Sequence, residues 1–162
     1  MPLVGLPEDQ EMAAAVACID AWVARELAAG SALVAGEHQS VTDRTASDRW
    51  YLRFRGEEKD YVTLWLTLQQ RTLHHEAQVM PAPEENREQV YRYFLRCNTS
   101  LYAMAFCLGN EDAVYLAGRV PAGLVDNEEL DRICGSSLYY VDQHFPTAMT
   151  LGYPRLYRRR RR

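Results

Sequence analysis

The spacing of apolar positions changes period along the chain, and each change marks a new element. From Pro7 to Gly30, Met12, Val16, Ile19, Val23 and Leu27 recur at three- and four-residue spacing, with Trp22 on the flank. That spacing predicts an amphipathic helix. Glu8, Asp9 and Glu11 fall in its first turn, where the helix dipole favours carboxylates, and Gly30 suits a left-handed C-cap. Residues 31–47 are mixed and polar and read as a loop with a short strand near 32–34. The period then falls to two. In 49–55, Trp50, Leu52 and Phe54 share one face, and Arg49, Tyr51, Arg53 and Arg55 share the other. In 61–68, Val62, Leu64, Leu66 and Leu68 oppose Tyr61, Thr63, Trp65 and Thr67. Residues 72–80 form a third strand, stopped by Pro81. The short connections, 56–60 and 69–71, predict an antiparallel meander.

After Pro81 and Pro83 the helical period returns. Glu84 and Glu85 open a helix with the stripe Val90, Tyr91, Phe94 and Leu95, and Asn98 ends it. Residues 101–108 read as a strand. Its small face, Ala103, Ala105 and Cys107, is expected to let a helix pack closely, while Tyr102, Met104 and Phe106 occupy the other face. A hairpin turn at 109–112 leads to a strand over 113–120, stopped by Pro121. Asp126 with Glu129 has the form of a capping box. Leu130, Ile133 and Cys134 begin the last helix, which 135–137 is expected to break and Pro146 to kink or to restart as a fresh turn. Leu138, Val141, Phe145 and Met149 continue its stripe. The predicted order is α-βββ-α-ββ-α: an α+β fold with an antiparallel sheet of about five strands and helices on one face.

Composition narrows the class. The chain has 162 residues, 48% hydrophobic and 25% charged, as an ordinary globular domain has. One domain over residues 1–154, followed by a basic tail over 155–162, is the simplest division. No apolar run approaches the length of a membrane span. MPLVGLPEDQ lacks a positive leading segment, which predicts no signal peptide and a cytoplasmic protein. Cys18, Cys97, Cys107 and Cys134 are scattered, with no CxxC pair, and are expected to be reduced and structural. The net charge is −4, yet Arg155, Arg158, Arg159, Arg160, Arg161 and Arg162 carry +6, so residues 1–154 carry −10.

Four stretches taken together have a family likeness: Met80-Pro-Ala-Pro-Glu-Glu-Asn, the helix end at 91–98, Val114-Tyr-Leu-Ala-Gly-Arg-Val-Pro, and 126–135. With Phe145 and Leu151-Gly-Tyr, they resemble the YbjN-like domain family as found in actinobacteria. The likeness covers roughly residues 10–155 and is strongest over 50–152. It implies a fold like that of type III secretion chaperones, which are typically homodimers that hold an extended segment of a partner protein. YbjN-like proteins are described as sensory-transduction regulators, and the family carries no established catalytic residues. Relatives often end in a mixed Arg/Trp segment, whereas this chain ends in five arginines.

Candidate chemistry is sparse. His74 and His75 are adjacent in a strand and point to opposite faces, so they do not share a metal or substrate. HExxH is absent. Cys97 or Cys134 would need a neighbouring histidine to act as a nucleophile, and Cys97 sits at a helix C-terminus, which does not depress a thiol. His38 lies in the predicted loop and His144 in the last helix. Asp126, Glu128, Glu129 and Asp131 read as a helix start, not a calcium loop. No catalytic, metal or cofactor site is therefore expected. Two binding surfaces stand out. If helices cover the aliphatic sheet face, Tyr51, Arg53, Tyr61 and Trp65 lie exposed or at an interface and are the candidate partner-binding residues. The arginines at 155 and 158–162 are candidates for a polyanion, nucleic acid or acidic lipid, with Tyr153 and Tyr157 placed to stack. The expected function is a non-enzymatic, homodimeric chaperone-like or adaptor protein that binds a peptide or protein segment. Polyanion binding through the tail is the second reading.

Overall fold

Two-residue alternation builds one antiparallel sheet in a computed structural model that describes residues 7–41 and 47–158. Among those residues the chain runs α1 (Glu8–Ala29), β1 (Leu33–Val41), β2 (Ser47–Arg55), β3 (Tyr61–Gln69) and β4 (Thr72–Met80). It continues through α2 (Arg87–Cys97), β5 (Ala105–Leu108), β6 (Val114–Pro121) and α3 (Asn127–Gly152). The six strands lie in the order β1-β2-β3-β4-β6-β5, every neighbouring pair antiparallel. The helices pack on one face: α1 against β1, α3 against β3 and β4, and α2 against β5, with α3 touching both other helices. Trp50, Leu52, Leu64, Leu66, Leu68, Leu73, Ala77, Val79 and Leu116 are all fully buried beneath them.

The sheet has one strand more than expected. Residues 33–41 are a full strand, and its register against β2 places His38 opposite Trp50. The polar run hid it because β1 is an edge strand, exposed at most positions. His38 is therefore on a strand, not in a loop. Its ring stacks on Trp50 at 4.4 Å and lies within 3.0 Å of the Asp20 carboxylate and 2.7 Å of that of Asp48. Trp50 Nε1 donates to Asp20 at 2.8 Å, so one polar cluster fastens α1 to β1 and β2.

Other boundaries shift for local reasons. The buried stripe of α1 is Glu11, Ala15, Ile19, Trp22 and Val23, rotated toward Trp22, whose Nε1 donates to Asp131 of α3 at 2.8 Å. Helix α2 starts at Arg87, not Glu84, because the backbone N–H groups of Glu84 and Glu85 both donate to the Gly152 carbonyl. Strand β5 is only four residues long. Asn98 pairs through its side chain with both backbone groups of Phe106, and Ala103 adopts φ +56° in the preceding segment. Met104 and Phe106 face the helices, while Ala105 and Cys107 face outward, the reverse of the expected packing on a small face. Helix α3 runs unbroken through Gly135 and Pro146 for 26 residues, with Asp126 capping the Glu129 N–H at 2.8 Å as its spacing predicts. Burial of its stripe, including Ile133, Val141 and Ala148, outweighs the roughly 3 kcal/mol cost of an interior proline.

Two contacts lock the turns. The Asp142 carboxylate of α3 accepts backbone N–H bonds from Glu57, Glu58 and Lys59, tying the β2–β3 turn to the helix layer. The β3–β4 hairpin has left-handed Gln70 and Arg71 with no glycine. Arg71 forms an ion pair with the buried Glu11, and its carbonyl accepts the Ala122 N–H at 2.8 Å.

His75 of β4 faces the helix layer near Arg132 and Glu129 of α3. It is 1% exposed, and neither ring nitrogen has a hydrogen-bond partner. A Cβ on the cross-strand Gly118 would stand 2.6 Å from the His75 ring and 2.8 Å from the Ala103 carbonyl, so only glycine fits there. Burial, aided by Arg132, pulls the imidazole pKa down from 6.5 to about 4. The fold thus holds neutral His75, whereas the unfolded chain binds a proton below pH 6.5. Its stabilising effect is complete above that pH and lost as pH falls from 6.5 to 4, by about 3 kcal/mol in total. His75→Phe is expected to flatten that part of the pH dependence, measured as urea midpoints between pH 7.5 and 4.5. Gly118→Ala is expected to destabilise by about 2 kcal/mol in the same assay.

Candidate functional site

The face of the sheet opposite the helices carries no covering element among the described residues. Strand alternation sends Tyr51, Arg53, Tyr61 and Trp65 there together, as expected from their positions. The register aligns Glu37, Tyr51, Trp65, Glu76 and Ala117 in one row across five strands. A second row holds Gln39, Arg49, Thr67, His74 and Arg119. Tyr51 meets Trp65 edge-on with centroids 4.9 Å apart. The Arg49 guanidinium lies 4.1 Å above the Trp65 ring, and that of Arg53 lies 3.9 Å above Tyr61. A guanidinium stacked this way gains cation–π energy and keeps its in-plane N–H donors pointing sideways. Arg49 also lies 3.9 Å from Glu76. Beside this cluster an open depression of about 930 Å³ is lined by Thr67, His74, Glu76, Ala117 and Arg119. Sequence reasoning named the aromatics but missed Arg49, Glu76 and Arg119, whose contribution depends on cross-strand register.

The sheet edges differ. β1 is long, whereas β5 is short and stands beside α2. There Leu95 and Leu108, 68% and 50% exposed, flank an apolar pocket of about 120 Å³ completed by Tyr91, Phe94, Phe106 and Val114.

The histidines go to separate places. His74 faces the open side, with burial and Arg119 lowering its pKa. His144 of α3 reaches α2, where its Nδ1 lies 2.7 Å from the Tyr93 hydroxyl and 3.5 Å from Cys97 Sγ. This brings a histidine to Cys97, which the local sequence did not show. The pair is not activated: burial raises the Cys97 thiol, lowers His144, and pushes Tyr93 up to about 12. Cys134 is fully buried in the α1–α3 region and also held as the thiol. Among the described residues no group of three His, Cys, Asp or Glu side chains could hold a metal ion. Of the tail, Arg155 lies 3.2 Å from Glu85 and Arg158 bonds the Pro154 carbonyl at 3.5 Å. Arg159, Arg160, Arg161 and Arg162 lie outside the described residues.

A family model described as "YbjN: Putative bacterial sensory transduction regulator" matches residues 31–148. The chain belongs to the YbjN family. An uncharacterized protein of Mycobacterium tuberculosis (strain ATCC 25618 / H37Rv) is 39% identical over 98 residues, 60% of this chain and 54% of that protein. One of Mycobacterium leprae (strain TN) is 34% identical over 105 residues, 65% of this chain and 57% of that protein. The chain thus spans little more than half the length of these relatives. Among solved structures, a chain of the HopA1-SchA chaperone-effector complex is 12% identical with a TM-score of 0.55, covering 86% of this chain and 98% of that one. The YbjN chain therefore has a type III secretion chaperone-like fold. No described helix is long and apolar enough to cross a membrane.

With its thiols held protonated, this YbjN domain is expected to react slowly with iodoacetamide at pH 7. Mass spectrometry of the native protein should show Cys97 labelled no faster than free cysteine. Labelling faster than that would revive a nucleophilic role for Cys97 and His144.

Proposed function

We propose that this YbjN chain is a non-enzymatic adaptor, chaperone-like in use as in fold. It would act as a homodimer and hold an extended segment of a partner protein on its open sheet face. The observation that carries this reading is the helix-free face with the Tyr51–Trp65 contact, Arg49 stacked on Trp65 and Arg53 stacked on Tyr61. Aromatic and arginine side chains of this kind are enriched where proteins meet, because they combine large apolar area with fixed polar edges. The solved chain that it resembles in fold comes from a chaperone-effector complex, which agrees with a protein partner.

Homodimerisation is supported by the other edge. Asn98 already occupies the Phe106 backbone on the β5 edge, so two copies related by a two-fold axis would meet there through side chains, burying Leu95 and Leu108 of both. The proposed location is the cytoplasm, where free thiols such as Cys97 and Cys107 stay reduced.

Replacing Tyr51 and Trp65 by alanine is expected to reduce recovery of co-purified protein from native cells by about tenfold, at unchanged circular dichroism. Unchanged recovery would remove this face as the docking surface. Light scattering after size-exclusion chromatography should give twice the chain mass, and Leu108→Arg should return it to the monomer.

A further inference from the structure

The charge of the open face is opposite to that of the molecule. Its outward strand positions hold four arginines, Arg49, Arg53, Arg55 and Arg119, and two carboxylates, Glu37 and Glu76. The face therefore has a net charge of +2, whereas residues 1–154 as a whole carry −10. We infer that the partner segment is acidic: an extended peptide with carboxylates flanking an aromatic or aliphatic anchor that seats against Tyr51 and Trp65. This rests on the reading of that face as the docking surface and adds the chemistry of what docks.

The arrangement suits carboxylates specifically. Arg49 and Arg53 are already fixed over Trp65 and Tyr61, so they can present paired N–H donors to a carboxylate with little loss of side-chain freedom. They are four residues apart on β2, about 13 Å along a strand, the spacing of side chains i and i+4 on an extended ligand. Arg119 supplies a third positive group across the depression, next to His74. Glu76 sits among them, within reach of Arg49. It would accept backbone N–H groups of a peptide, and it would repel the continuous charge of a phosphate backbone. The acidic remainder of the molecule opposes a long polyanion in the same way. A peptide with a few carboxylates meets the local basic island without that penalty along its whole length.

The test is to pan the purified full chain against a display library of random peptides, then resynthesise the best binder with every Asp and Glu changed to Asn and Gln. Trp65 reports binding, because it is partly exposed whereas Trp22 and Trp50 are buried. The selected pool is expected to be enriched in Asp and Glu, and the amide version to bind at least about tenfold more weakly in low salt. That gap should close in about 0.5 M salt and in the Arg49→Gln, Arg53→Gln variant. Selected peptides of input-like or basic composition that are lost in the Tyr51, Trp65 alanine variant would overturn the acidic preference and leave the docking face standing. Failure to select any peptide would remove both. Tighter binding of a thymidine oligonucleotide than of the acidic peptide would also overturn the inference.

Discussion

The architecture depends on a sheet that, among the described residues, is covered on one side only. β3 alternates buried and part-exposed residues along all nine positions, and β2 and β4 do so along most of theirs, so the aliphatic set can be satisfied by a single layer of helices. Once α1, α3 and α2 have taken that side, every outward residue is committed to solvent or to another molecule. A one-residue slip of β3 against its neighbours would move Trp65 into the core and expel its leucines. The Asp142 clamp on the β2–β3 turn and the Arg71–Glu11 pair at the β3–β4 hairpin oppose that slip from outside the core.

This constraint also decides where the groups with catalytic potential lie. Groups with catalytic potential were drawn into the layer that holds the fold together. His75 lies under α3 against Gly118, and Cys97, Tyr93 and His144 meet between two helices. In each case burial favours the neutral form, which serves packing and not proton transfer. The side left over is the one with stacked arginines and aromatics, the surface proposed for recognition.

Much of this was legible in the sequence. The central strands and their faces followed from strict alternation, and the Asp126 cap and Gly30 terminator from local chemistry. β1 was not legible, because an edge strand has too few buried positions to show a period. The extent of β5 was misjudged because Asn98 and the left-handed Ala103 decide where pairing begins, and both act through tertiary contacts. Continuity of α3 through Pro146 depends on burial that no local rule contains. At the candidate site, Tyr51, Arg53, Tyr61 and Trp65 were visible as a face. The stacking of Arg49 on Trp65 and the position of Glu76 come from cross-strand register, which alternation within one strand does not fix, and Arg119 arrives from β6, after α2 and β5.

The central claim is that the helix-free face is where a partner protein sits. The most direct measurement is photocrosslinking in the native cell from a benzophenone amino acid placed at Thr63, between the aromatics on β3, with Tyr139 on the outer side of α3 as the reference position. The account predicts a discrete protein adduct from position 63 and none from position 139. An adduct from position 139 with none from position 63 would contradict it.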